Sequence, residues 1–134
     1  MKTSTLTLLV GALVAAVNSL SKNMSLLDSV TNFEGSDQEA HQRLLGKHNV
    51  VINRLDGIVC TMRSAELSGE HRVYLDPMQM HSVNRAVLDH IAELEKSMAY
   101  FCQMGESEMV VRSFQKKIEA LHMAVFEANS WAGR

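Results

Sequence analysis

The chain has 134 residues, 46% hydrophobic and 21% charged, with a formal net charge of -2. That length suits one domain with its own core and no disulfide or metal staple. A single proline and 5% aromatics disfavour a β-sandwich, and the lack of a basic run disfavours nucleic-acid binding.

The first stretch, MKTSTLTLLVGALVAAVNSL, carries no charge after Lys2. Three readings compete for it. A signal peptide would span residues 1–21, with Leu6 to Val17 as its apolar segment and a cut after Ser19 or Ser21, although no Ala-x-Ala site is present. A membrane anchor needs about 20 apolar residues, and this run reaches about 16 before Asn18 and Ser19 dilute it. Either of these would direct the chain to export or to a membrane. The third reading is a structural helix over 1–34. The apolar phase Leu13, Val17, Leu20, Met24, Leu27, Val30 runs through the cleavage positions toward Phe33 and Gly35, and a discarded leader has no reason to keep that register. Residues 5–17 read as apolar all round, more than three partner helices can cover. Leu6, Leu9, Val10, Leu13 and Val17 are therefore expected to meet a protein partner, a second copy or a membrane. Asn23-Met24-Ser25 matches a glycosylation sequon, which has meaning only in a secretory context.

Ser36-Asp37-Gln38-Glu39 has the form of a capping box directly after a Gly35 stop, so a second helix is expected over 36–68, antiparallel to the first. Its stripe is His41, Leu44, His48, Val51, Leu55, Ile58, Met62 and Ala65, in the steps of three and four that keep one face. Leu45, Ile52 and Val59 widen it. His41 and His48, about 10 Å apart along the axis, are expected to form a polar core layer that sets register. A sharper alternative is pH-dependent assembly.

Ser68 to Leu75 reads as a loop. Asp76-Pro77-Met78-Gln79 then opens a third helix over 76–104, with aspartate at N-cap and proline at N1 and a stripe of Met80, Val83, Val87, Ile91, Leu94, Met98 and Phe101. Met78, Met80 and His81, with His71 nearby, are soft ligands suited to Cu(I). The preferred reading keeps Met80 in the core and leaves Met78 and His81 to solvent.

Gly105-Glu106-Ser107 breaks the chain again before a fourth helix over 106–130, with a stripe of Val111, Phe114, Ile118, Leu121, Val125 and Ala128. Glu119 and His122 stand at the Glu-x-x-His step of di-iron bundles. A second such pair and inward glutamates are lacking, so a solvated face is expected. Trp131 could dock into a partner or cover the end of the bundle. In an antiparallel hairpin Cys60 and Cys102 fall about 25 Å apart along the axis. A disulfide spans about 4.4–6.8 Å between Cα atoms, so an internal bridge is not expected.

The expected fold is an all-α antiparallel bundle of four helices, or three if residues 1–21 are removed. No glycine-rich phosphate loop, G-x-S-x-G elbow or H-E-x-x-H motif is present. The expected role is non-enzymatic and cofactor-free: association with other proteins, as an assembly subunit, adaptor or exported module. The alternatives are a His/Met copper binder and a secreted helical protein with a cleaved leader.

Overall fold

Runs of leucine, valine, alanine and methionine at helical spacing, broken by only a few turn signals, give four α-helices and no strands among the described residues of the computed structural model. It describes residues 4–29 and 36–131, with side chains throughout those spans except at 26–29, 36–38 and 41. The helices are α1 (Thr5–Ser29), α2 (Ser36–Leu67), α3 (Pro77–Gln103) and α4 (Glu108–Asn129). Gly35, the Ser36 half of the expected capping box and the side chain of His41 lie outside the described residues.

Local chemistry accounts for the helix ends. The Ser4 hydroxyl accepts the amide of Thr7 at 3.1 Å and caps α1. At α3 the box is complete: Asp76 accepts the Gln79 amide at 2.8 Å, and Gln79 accepts the Asp76 amide at 3.1 Å. α2 and α3 stop the same way. The Gly69 and Gly105 amides reach Glu66 and Cys102, while those of Glu70 and Glu106 reach Ala65 and Phe101. These are Schellman closures, which need a left-handed residue. Gly69 at φ 77° and Gly105 at φ 74° supply it. The closure at Gly105 takes up Glu106 as well. α4 consequently starts at Glu108, behind Ser107 at N-cap, rather than at 106.

The helices run up, down, up, down. Thr7 near the start of α1 donates to Glu66 near the end of α2 at 2.7 Å. Asn84 and Asn129 exchange two side-chain amide bonds between α3 and α4, at 3.1 and 2.9 Å. The cross-section is a rhombus rather than a square. α1 packs against all three other helices, whereas α2 and α4 do not meet among the described residues. α1 and α3 therefore form the short diagonal, and α1 is the most covered helix.

The fully buried core occupies one end of the bundle. It takes Leu6 to Leu13 from α1, Leu55 to Ala65 from α2, Met80 to Ile91 from α3 and Leu121 to Ala128 from α4. The α2–α3 loop closes this lower end. In its extended run Val73 and Leu75 point inward and Tyr74 outward, the alternation of an extended chain. Trp131, 7% exposed, lies over the same end, so its indole covers the bundle.

Candidate interaction surface

The five residues expected to meet a partner fall elsewhere. Leu6, Leu9, Val10 and Leu13 are core residues, none more than 9% exposed, and Val17 is half-buried. The premise behind that expectation is corrected by the outward face of α1. Its exposed positions include Thr7, Gly11, Asn18, Lys22 and Ser25, at steps of seven, four and three that make one strip. That strip is polar or side-chain-free. α1 looks apolar all round in sequence because its exposed positions in the first turns are Thr7 and Gly11 rather than charged residues. The chain's own helices bury Leu6, Leu9, Val10, Ala12 and Leu13, while Leu8, Val14, Val17 and Leu20 stay half-buried. By length and composition α1 is still able to cross a bilayer over Thr5–Ser25, a property that core helices and leader sequences share.

Exposed apolar side chains stand at both ends: Leu67, Tyr74, Met123 and Phe126 toward the lower end, and at the upper end the stripes that continue beyond the core. On α2 Leu44 and Val51 are 40% and 38% exposed, and Leu45 and Ile52 are half-buried. Val59, the third residue that widens the stripe, is buried. α2 has 32 residues against 22 in α4, about 15 Å more helix at ~1.5 Å per residue. At the α3–α4 turn Phe101 stacks on Phe114 with centroids 5.6 Å apart, and Tyr100 meets Phe101 edge-on at 5.5 Å. Both phenylalanines are half-buried, while Tyr100, Met104 and Met109 are exposed beside them. Aromatic and methionine side chains of this kind are enriched in protein interfaces.

His48 sits in this half of α2, half-buried. Its Nδ1 is shielded from solvent and has no hydrogen-bond partner among the described residues. The expected polar layer, with each imidazole bonded to a neighbour or to water, has no protein partner for this atom among the described residues. Among the described residues, side-chain hydrogen bonds join Asn84 and Asn129 between α3 and α4, and Thr7 and Glu66 between α1 and α2. Both went unread in sequence because a polar residue at the edge of a stripe looks like any solvated one.

The soft-ligand group is not brought together. Met80 is 4% exposed in the core, while Met78 is 64% exposed and His81 is exposed too. Consecutive helix residues diverge by about 100°, so burying Met80 turns its sulfur away from His81. Among the described residues no three His, Cys, Asp or Glu side chains stand close enough to share a metal ion. Glu119 and His122 are exposed, as expected of a solvated face. Cys60 and Cys102 are free, exposed thiols.

Among the described residues, the titration of His90 on α3 is shifted by its surroundings. Burial pushes its pKa below the ordinary 6.5; Lys117 on α4 adds to that, and Glu93 opposes it. At the lower end an open groove of about 740 Å³ lies between the α2–α3 loop and the end of α4. Glu70, His71, Arg72 and Glu127 line its sides, with Val73 and Trp131 beneath. The groove mixes both charge signs and is open to water.

No family model, curated protein or solved structure matches this chain.

Proposed function

We propose that the protein is a non-enzymatic helical module that acts by protein–protein association. The proposed surface is the open upper half of the bundle rather than the face of α1. The observation that carries this reading is the apolar stripe of α2, which continues above the core through Leu44, Leu45, Val51 and Ile52 with at most partial cover. A soluble chain rarely leaves contiguous apolar surface at helical spacing without a use for it. α1 serves as a retained structural helix in this reading. That role is supported by the Ser4 cap, the Thr7–Glu66 bond and the burial of Leu6, Leu9 and Leu13.

The test is the native size of the protein in an extract of its source cells. Association predicts a particle heavier than 14.9 kDa that shrinks when Leu44→Glu and Val51→Glu are introduced together. A monomer with and without the substitutions would refute it. The intact mass of the mature chain reports separately whether residues 1–21 are retained.

A further inference from the structure

We infer that the α2–α3 loop is a docking edge for an extended segment of a partner protein, which lies in the lower groove as a strand added beside His71–Leu75. This edge is separate from the association surface at the upper end.

The backbone of the loop is built for such pairing. From His71 to Leu75 the chain is extended, with Val73 and Leu75 buried and Arg72 and Tyr74 exposed. An extended chain turns its N–H and C=O groups sideways, alternately toward its two edges. Among the described residues none of these groups from His71 to Leu75 takes part in a backbone hydrogen bond. Five residues are also the length of an ordinary strand. The buried side chains of Val73 and Leu75 pin the run to the core, so a partner meets an edge that is already ordered.

Both edges have room beside them. On the α4 side lies the groove of about 740 Å³, and on the α2 side a hollow of about 290 Å³ bordered by Thr61, Ser64 and Ser68. Glu70, Arg72, Val73 and Tyr74 line both, so the run stands between two open channels. The larger channel takes the added strand.

The charges and the floor of that channel select the occupant. Glu70 and Glu127 stand against the single guanidinium of Arg72, over a floor of Val73 and Trp131. The fitting segment carries a basic side chain for the two carboxylates and an apolar one, on the same face, for the floor. Nucleic acid and an anionic membrane meet two carboxylates of their own sign. An amphipathic helix needs apolar anchors over successive turns, and this floor is too short to supply them. Main-chain pairing gives such a complex its affinity, and the alternate side chains give it selectivity.

Selection of a phage library of random seven-residue peptides on the full-length chain tests the inference. Enriched peptides are expected to alternate apolar and polar residues and to carry lysine or arginine. Titrating one of them should move the amide resonances of Arg72 to Leu75. Methylating its amide nitrogens one at a time should weaken binding about tenfold or more at alternate positions and spare those between them. Glu70→Lys with Glu127→Lys should weaken binding by a similar factor. Both positions are exposed, so melting should be retained. A library that yields no enrichment overturns the inference, as do enriched peptides with apolar residues at steps of three and four. Binding that tolerates methylation at every position, or that moves only resonances of the upper end, overturns it as well.

Discussion

Leu13 and Gly11 are two positions apart in sequence and opposite in the fold. Leu13 is fully buried and Gly11 exposed. Leu13→Ala should cost about 2–5 kcal/mol through lost burial and the cavity left behind. A Cβ at Gly11 meets nothing within 4 Å, so Gly11→Ala should stabilise by about 0.4–1 kcal/mol, chiefly by restricting the unfolded chain. Urea titration of both variants gives the contrast directly; equal effects would contradict the burial pattern of α1. At His90 the expectation concerns pH. Burial and Lys117 lower its folded-state pKa, so the unfolded chain binds a proton that the folded chain resists. Stability is full above the ordinary value of 6.5 and falls as pH drops from there toward the lowered value. Melting compared between about pH 7.5 and about pH 5.5 should show a smaller acid loss in His90→Gln than in wild type. An unchanged slope would remove His90 from the account. The stripe residues could be assigned a face from spacing alone. The Asn84–Asn129 pair and His90 could not, since their roles depend on which residue of another helix stands opposite.

At the scale of the element, the helix ends were read from local chemistry where that chemistry is complete within a few residues. Asp76, Pro77 and Gln79 announce α3, and all three act as their types predict. Asp76→Ala should cost about 1 kcal/mol through the lost cap, measurable by thermal melting; no loss would mean that tertiary contacts alone hold this end. Gly105 was recognised as a stop, but its closure reaches one residue further than a bare glycine signal says, which moved the start of α4 to Glu108. Gly69 stops α2 by the same geometry. The loop after it looked like a plain connector because Val73 and Leu75 have no helical phase. Their burial follows the alternation of an extended chain instead, and it seals the lower end.

For the whole molecule, the arrangement of α1 has a consequence for processing. Leu6, Leu9 and Leu13 are buried at 1%, 0% and 0% exposure in the same cluster as Leu55, Met62, Val83 and Leu121. A chain beginning at Leu20 would expose those partners, so it should lose its cooperative melt and bind a hydrophobic dye rather than persist as a three-helix bundle. A sharp melt in that truncated chain would show that α1 is dispensable. Likewise, Leu13→Asp buries an unpaired carboxylate and should unfold the bundle. Loss of assembly in that variant would therefore say nothing about an interface, whereas Leu44 and Val51, being partly exposed, separate association from folding.

The sequence by itself determined three helices, with the first stretch left open between a helix, a leader and an anchor. It also determined approximate helix ends, the residues that share each face and the axial separation of Cys60 and Cys102. Those properties follow from neighbours within a few residues, or from counting along a helix axis. Only the tertiary structure decided that α1 sits on the short diagonal, that Leu6, Leu9 and Leu13 are inside, and that α2 keeps Leu44 and Val51 partly exposed above the core. Periodicity states which side chains lie on one face of a helix. How many other helices cover that face, and over what length, depends on the packing of all four together.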